Sequence, residues 1–372
     1  MKVLIMAGGT GGHVIPALSI ARLLQARGAD ILWLGARGRM EEQLVPKAGF
    51  KIAYIKVQGL RRNGLKSLMG APWMIMRAIW QARKVIKDFA PDVVIGMGGY
   101  ASGPGGVAAK MLGIPLVLHE QNAAAGLTNR LLFKIANLVL LGFPGAFSGP
   151  KVQVTGNPVR PEIAALHALN REFLAADTLH LLIVGGSLGA QALNEKLPAL
   201  LSDFYIKKVK PTGLSLHIVH QCGKGNQAKV AACYAQQSTA TEEGFGVTTQ
   251  DFIDDMAAQY RSAGVVICRA GALTVAEVAA AGLPALYIPL PTAVDDHQTK
   301  NAAVQVSLGG AAMIAQANLN APTLQASLSP LLEQGELAKR ADCQRQAAVL
   351  DAPQRVLQAI DALLAAYGKK VN

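Results

Sequence analysis

Twice in this chain a short apolar run breaks into glycines and then resumes as a helical pattern. The first instance is "KVLIMAGGTGGH" at residues 2–13, the second "LHLLIVGGSLGA" at residues 179–190. A strand that ends in a glycine loop and feeds a helix is the opening unit of a doubly wound α/β sheet. Apolar runs of strand length follow the first at 31–34, 93–95, 116–118 and 139–141, and the second at 216–219, 265–267 and 285–288. Segments long enough for helices separate them, so parallel sheets covered on both faces are predicted. Two such series imply two domains, which suits 372 residues. The join is expected near "VTGNPVRPEI", where Pro158 and Pro161 restrict the backbone. The predicted boundaries are residues 1–158 and 159–352, with a terminal helix over 353–372.

Between residues 8 and 12 only Thr10 is not glycine. Such bare backbone lets amide N–H groups meet a phosphate at a helix N-terminus. The spacing is not the G-x-G-x-x-G dinucleotide fingerprint, and the Walker pattern is absent. A third loop, "GMGGYASGPGG" at 96–106, has no place in a nicotinamide dehydrogenase. Three loops of this kind point to a cleft lined from both domains at the C-terminal ends of strands.

Charge is unevenly spread. Residues 1–155 hold 19 Lys and Arg against 6 Asp and Glu, leaving 17 against 18 for residues 156–372. The first half should therefore face something anionic. No RNA-recognition aromatic motif accompanies the charge, so nucleic acid is not expected. Residues 71–87 read as a helix with two apolar stripes. Ile75, Ile79, Ala82 and Ile86 suffice to pack on a sheet, and Met69, Trp73, Met76 and Trp80 are surplus. The surplus stripe is flanked by Arg77, Arg83, Lys84 and Lys87, with Arg61, Arg62 and Lys66 nearby, which suits the headgroup region of an anionic leaflet. No run of 18 apolar residues is present, so no spanning helix is predicted, and Val3–Ile5 is too brief for a signal peptide. The four cysteines lack metal spacing and read as reduced thiols.

These features converge with seven motifs: "GGTGGHVIP" (8–16), "GMGGYASGP" (96–104), "HEQNAAAGLTN" (119–129), "GNPVR" (156–160), "GGSLGA" (185–190), "FIDDM" (252–256) and "CRAGALTVAEVAAAGLPAL" (268–286). In this order, over nearly the whole chain, they resemble the MurG family of bacterial cell-wall glycosyltransferases. The resemblance implies the GT-B fold, two Rossmann-like doubly wound domains facing each other across a cleft, with the C-terminal helix crossing back to the first. It implies a hexosyltransferase without a cofactor. The reaction would move N-acetylglucosamine from UDP-N-acetylglucosamine to the 4-hydroxyl of undecaprenyl-pyrophosphoryl-MurNAc-pentapeptide in peptidoglycan synthesis, converting lipid I to lipid II. The protein would be peripheral, on the cytoplasmic face of the inner membrane, in contact with its anionic surface and with cell-wall synthesis and division proteins.

The resemblance also implies site residues. The acceptor belongs to the first domain and the UDP-sugar to the second. The run Ala272, Leu273, Thr274, Val275, Ala276 and Glu277 would bind the donor, Thr274 capping a helix that receives the diphosphate and Glu277 accepting from ribose hydroxyls. Ser187 would donate to phosphate, the Ile253 main chain would meet uracil, and Arg160 would offset diphosphate charge. Thr10, Gly11, Gly12 and Asn122 match the remaining donor contacts. Gln298 matches a sugar-binding glutamine, with Asn301 a further candidate.

A β-linkage formed from an α-linked UDP-sugar inverts the anomeric carbon in one displacement and requires a base. His13 directly follows the glycine loop, and an imidazole is a side chain suited to this task; Glu120 and His119 are the other candidates. The pairs Asp254-Asp255 and Asp295-Asp296 are adjacent and diverge, so no metal site is expected and the chemistry should be metal-independent. A UDP-N-acetylglucosamine 2-epimerase or another GT-B enzyme is the competing reading, but an epimerase has no use for a lipid-facing basic half.

Overall fold

Strand β1 (Lys2–Met6) has no polar residue after Lys2 and is buried on both faces. Its alternation divides it cleanly. Val3 and Ile5 enter one core with Ile20 and Leu24, while Leu4 and Met6 enter another with Ala78, Ala82 and Ile86. That two-sided burial is what an all-parallel sheet demands. The computed structural model describes residues 1–9, 11–57, 65–169, 172–173, 177–186 and 190–369; the side chains of residues 65–71 and 294 lie outside the description.

Among the described residues, β1 is joined by β2 (Asp30–Ala36), β3 (Lys51–Ile55), β4 (Val93–Gly96), β5 (Leu116–Glu120), β6 (Leu138–Leu141) and β7 (Val152–Val154). The sheet order is β3-β2-β1-β4-β5-β6-β7, all parallel. A second sheet contains β8 (Thr178–Val184), β9 (Ser215–Gln221), β10 (Phe245–Gln250), β11 (Val265–Cys268), β12 (Ala285–Tyr287) and β13 (Ala311–Met313). Its order is β10-β9-β8-β11-β12-β13, also parallel. In each sheet the winding reverses beside the first strand, between β1 and β4 and between β8 and β11. Loops leaving those strands part in opposite directions and open a crevice.

The chain divides into two compact units, Met1–Val159 with Val349–Asn372, and Arg160–Ala348. The helix Ala352–Ala366 belongs to the first unit, where Val356, Ile360 and Leu364 share a core with Ile20 and Leu24. Arg27 Nη1 reaches Asp361 Oδ2 at 2.8 Å, and Lys369 Nζ donates to the Asp92 carbonyl at 2.8 Å.

The helix Leu65–Phe89 departs in one detail from its expected stripes. Its buried face is Ala78, Ala82 and Ile86, with Ile79 half-buried, whereas Ile75 is exposed. Two alanines bring this end of the helix close to the sheet, and the packed stripe therefore begins one turn later than predicted. Trp73, Met76 and Trp80 are 76%, 51% and 57% exposed, and the Arg83 guanidinium lies 5.5 Å from the Trp80 ring centroid. Arg61 and Arg62, and the side chains of Lys66 and Met69, lie outside the described residues. Among the described residues no helix is long and apolar enough to cross a membrane.

Each unit buries one imidazole whose charge is strongly disfavoured. Burial lowers His119 and His220 from 6.5 to about 4. The unfolded chain therefore binds these protons first as pH falls, so stability is complete above about pH 6.5 and is lost progressively down to about pH 4. Each histidine accounts for about 3 kcal/mol of that loss. Urea titrations across this range should show the slope reduced in His119→Gln and, separately, in His220→Gln.

Candidate functional site

In the first unit the loop after β1 is fixed by side chains. Ser102 Oγ donates to the Met6 carbonyl at 3.0 Å, and the buried Trp33 indole donates to the Ala7 carbonyl at 2.8 Å. The Gly9 amide donates to Glu41 Oε2 at 2.9 Å, and Ala36 N–H reaches Glu41 Oε1 at 3.2 Å. Glu41 is only 1% exposed, and a Cβ at Gly8 would overlap its carboxylate. Part of the bare backbone therefore accommodates an internal carboxylate. The Gly9 amide, expected to be open to phosphate, is engaged. Gly11 and Gly12 begin the helix Gly11–Ala26 and retain accessible surface; Thr10 lies outside the described residues.

His13 follows, half-buried, beside the loop that leaves β4. Gly98, with φ +98°, backs its ring: a Cβ there would stand 2.8 Å from Cε1 and 2.9 Å from Nδ1. Gly99, with φ +90°, lies against the Gly8 backbone with no room for a side chain. The first and third glycine loops thus pack main chain to main chain. His13 Nδ1 lies 3.0 Å from Oε1 of Gln121, one residue beyond β5.

Glu120, the last residue of β5, is 2% exposed. Its carboxylate accepts from Asn122 N and Nδ2 (3.0 and 3.2 Å), from Gly126 N (3.1 Å) and from Asn129 Nδ2 (2.9 Å). Four donors on a buried carboxylate organise the 120–129 loop and occupy both of its oxygens. His119 is fully buried, with Nε2 3.3 Å from the Gly156 carbonyl. Of the three base candidates, only His13 combines accessibility with a ring nitrogen outside these contacts.

The second unit holds a cavity of about 620 Å³ at its winding reversal. Gly185 and Gly186 after β8, Arg269 and Gly271 after β11, and Thr274, Leu290, Gln298 and Gln316 line it. That volume suits a nucleotide-sized ligand. The helix Ala272–Ala280 opens onto the cavity. Its N-cap is Gly271 in extended conformation, with no side-chain cap. Thr274 is therefore the third helical residue and not the cap that the sequence suggests, because the chain turns helical three residues earlier. The first-turn amides keep no side-chain partner at the cap.

Arg269, the second residue of the 268–286 motif, donates to the Ile288 and Pro289 carbonyls (2.9 and 3.2 Å) and to Gln316 Oε1 (2.6 Å). Burial lowers its pKa. Neutral oxygens thus fix a guanidinium in the cavity wall, where an anion can meet it. Glu195, the carboxylate in the lining, is engaged by Gln191 Nε2 at 2.8 Å. Gln298 Oε1 accepts from Ala270 N and Leu290 N at 3.2 and 2.9 Å, which leaves its NH2 to face a ligand. Asn301 is fully buried and donates to the Ala270 carbonyl, so it serves the loop from behind. Ala272 and Val275 are buried; Leu273 and Ala276 are half-buried and lie outside the cavity lining. The Ile253 side chain is buried after β10, and Asn122 is held by Glu120. Ser187 lies outside the described residues.

Arg160 and Glu277 meet each other. Nε and Nη2 of Arg160 reach Oε1 and Oε2 of Glu277 at 2.7 and 3.1 Å. Arg160, expected on diphosphate, and Glu277, expected on ribose, are thus paired with each other: a carboxylate 4% exposed is stabilised directly by a bidentate guanidinium. Burial raises the Glu277 pKa, with Arg160 opposing it; burial also weighs against the Arg160 charge, but Glu277 outweighs that and raises its pKa. Arg160→Met should cost about 2–4 kcal/mol by leaving this carboxylate unpaired, and Arg160→Met/Glu277→Gln should regain at least about 1 kcal/mol. Urea denaturation of the four proteins in this cycle measures the coupling.

The glycosyltransferase family 28 N-terminal domain matches residues 3–141, and the family 28 C-terminal domain matches residues 180–356. The UDP-N-acetylglucosamine--N-acetylmuramyl-(pentapeptide) pyrophosphoryl-undecaprenol N-acetylglucosamine transferase of Aeromonas hydrophila is 51% identical over 356 residues, 95% of this chain and 94% of that protein. Its counterpart from Shewanella denitrificans is 49% identical over 360 residues, 96% of this chain and 95% of the other. The crystal structure of Acinetobacter baumannii MurG matches with a TM-score of 0.82 and 38% identity, covering 97% of this chain and 99% of that one. A UDP-GlcNAc 2-epimerase from Neisseria meningitidis shares the fold alone, with a TM-score of 0.66 at 16% identity over 97% of this chain and 99% of that one. The paired Rossmann-like units, the motif order and these matches place the chain in glycosyltransferase family 28, among the MurG N-acetylglucosaminyltransferases.

Proposed function

We propose that this chain transfers N-acetylglucosamine from UDP-N-acetylglucosamine to the 4-hydroxyl of undecaprenyl-pyrophosphoryl-MurNAc-pentapeptide, with inversion, in peptidoglycan synthesis. The observation that carries this reading is the second unit's cavity, nucleotide-sized and set at a winding reversal, in a chain half identical to transferases of that name. The diphosphate is assigned to the open amides of the Ala272–Ala280 helix and to the Arg269 guanidinium. These stabilise the charge that develops on departing UDP. The free amide of Gln298 donates to the sugar, and Asn301 holds the loop behind it. The Ile253 main chain is assigned to uracil. Glu277 is assigned to the ribose hydroxyls through lone pairs that the Arg160 guanidinium leaves on its two oxygens.

The first unit supplies the acceptor site and proton removal. His13 takes the proton from the 4-hydroxyl as that oxygen attacks the anomeric carbon and the bond to UDP breaks. Glu120, spent on four N–H groups, shapes the loop. The lipid portion of the acceptor lies in a bilayer, so the catalyst must reach its surface. Exposed Trp73, Met76 and Trp80, the cations around them and the basic excess of residues 1–155 support peripheral binding to the anionic cytoplasmic face of the inner membrane. Proteins of wall synthesis and division, which use or coordinate the product, are its expected neighbours there.

Incubation with labelled UDP-N-acetylglucosamine and a lipid-linked muramyl acceptor should yield the disaccharide lipid; no transfer would reject the reading. His13→Ala should lower kcat about 10²–10⁴-fold, the range for a lost general base, and a near-normal kcat would move that role elsewhere. Sedimentation with anionic vesicles should weaken as salt is raised and fall further in Trp73→Ala/Trp80→Ala. Salt-insensitive or absent binding would count against the membrane assignment.

A further inference from the structure

Gln121 is 1% exposed, yet every polar atom of its side chain has a partner. Nε2 lies 3.1 Å from the Met97 carbonyl and 3.3 Å from both the His119 carbonyl and His119 Nδ1. Carbonyl oxygens only accept, so the NH2 end of the amide must face Met97 and His119. That requirement turns Oε1 toward His13 Nδ1, 3.0 Å away. A carbonyl oxygen cannot donate either, so the proton of this contact belongs to His13 Nδ1.

From these contacts we infer that Gln121 is a positioning residue that holds His13 in the Nδ1–H tautomer and so directs the basic lone pair of Nε2 outward. The inference rests on the reading of His13 as general base and supplies what that reading leaves open: which nitrogen receives the proton, and what selects it. When Nε2 takes the acceptor's hydroxyl proton, Gln121 Oε1 keeps its bond to Nδ1–H and favours the resulting imidazolium. The 4-oxygen forms its bond to the anomeric carbon, the bond to UDP breaks, and the proton remains on Nε2 until solvent removes it.

Two features surround and support the contact. Gly98 presses its bare backbone on the ring, so the imidazole cannot swing toward it. His119, behind Gln121, stays neutral because burial lowers it to about 4. With the Gly156 carbonyl facing Nε2, His119 donates there and presents Nδ1 as an acceptor to Gln121. The chain of donors therefore runs one way, from Gln121 NH2 and His119 into carbonyls, and fixes the amide against flipping. A buried carboxylate in place of Gln121 would set oxygen against the Met97 and His119 carbonyls; an amide satisfies both ends.

In protein labelled with ¹⁵N-histidine at about pH 8.5, above the imidazole range, long-range ¹H–¹⁵N spectra distinguish the tautomers. The His13 signals are those lost in His13→Asn. The expected result is a protonated Nδ1 and an unprotonated Nε2; a ring protonated on Nε2 overturns the inference. In Gln121→Met the same ring should shift to the other tautomer or a mixture, and kcat should fall about 10–100-fold with KM for both substrates within about twofold. An unchanged tautomer in that variant also overturns the inference. A tautomer shift with unchanged kcat would leave the hydrogen-bond assignment intact and reject His13 as the base, so the two failures are separable.

Discussion

The reversal of winding beside β1 and β8 governs where chemistry can sit in this protein. A parallel sheet covered on both faces sends each connecting helix to one side or the other. Where consecutive connections leave in opposite directions, the strand ends lose their cover. In the first unit that opening collects the loops after β1, β4 and β5, which carry His13, Gly98 and Gln121. In the second it collects the loops after β8 and β11, which carry Gly185, Arg269 and Gly271. The same topological event, repeated, presents an imidazole in one unit and a guanidinium beside a helix N-terminus in the other.

Buried carboxylates stiffen these openings, each by a different means. Glu41 is satisfied by main-chain amides of Gly9 and Ala36, Glu120 by amides and two asparagines, Glu277 by a guanidinium. A buried carboxylate left without such donors would be strongly destabilising, so each fixes the position of everything bonded to it. The glycine loop after β1 is an instance. Met6, Ala7 and Gly9 each have a side-chain partner, so residues 6–9 are held before any ligand arrives. Such preorganisation limits the reordering that substrate binding must cost.

Much of the architecture was legible in the sequence because it is periodic. Apolar runs of five residues (3–7) and four residues (181–184), each followed by glycine, mark β1 and β8 without tertiary information. His13 was legible because it adjoins such a loop. The partners were not. Glu41 lies in "GRMEEQ", which reads as a solvated helix start, 32 residues from Gly9. Gln121 lies 108 residues from His13, and nothing local in "HEQN" ranks it above its charged neighbours. The place of Thr274 in its helix is not legible locally, because a hydroxyl at the cap and one at the third helical position look alike in sequence. Arg160 and Glu277 carry opposite charges suited to separate ligand groups, and only folding shows that they answer each other. Local patterns specify elements; long-range hydrogen bonds decide which polar side chains remain free.

The return of residues 349–366 to the first unit has a consequence for biosynthesis. Until those residues leave the ribosome, Ile20 and Leu24 lack the aliphatic surface of Val356, Ile360 and Leu364. The intervening segment 160–348, by contrast, has its whole core in hand as soon as it has been made. Order of synthesis and order of completion are thus inverted: the half begun first closes last, and during translation its apolar flank needs shelter from other nascent chains.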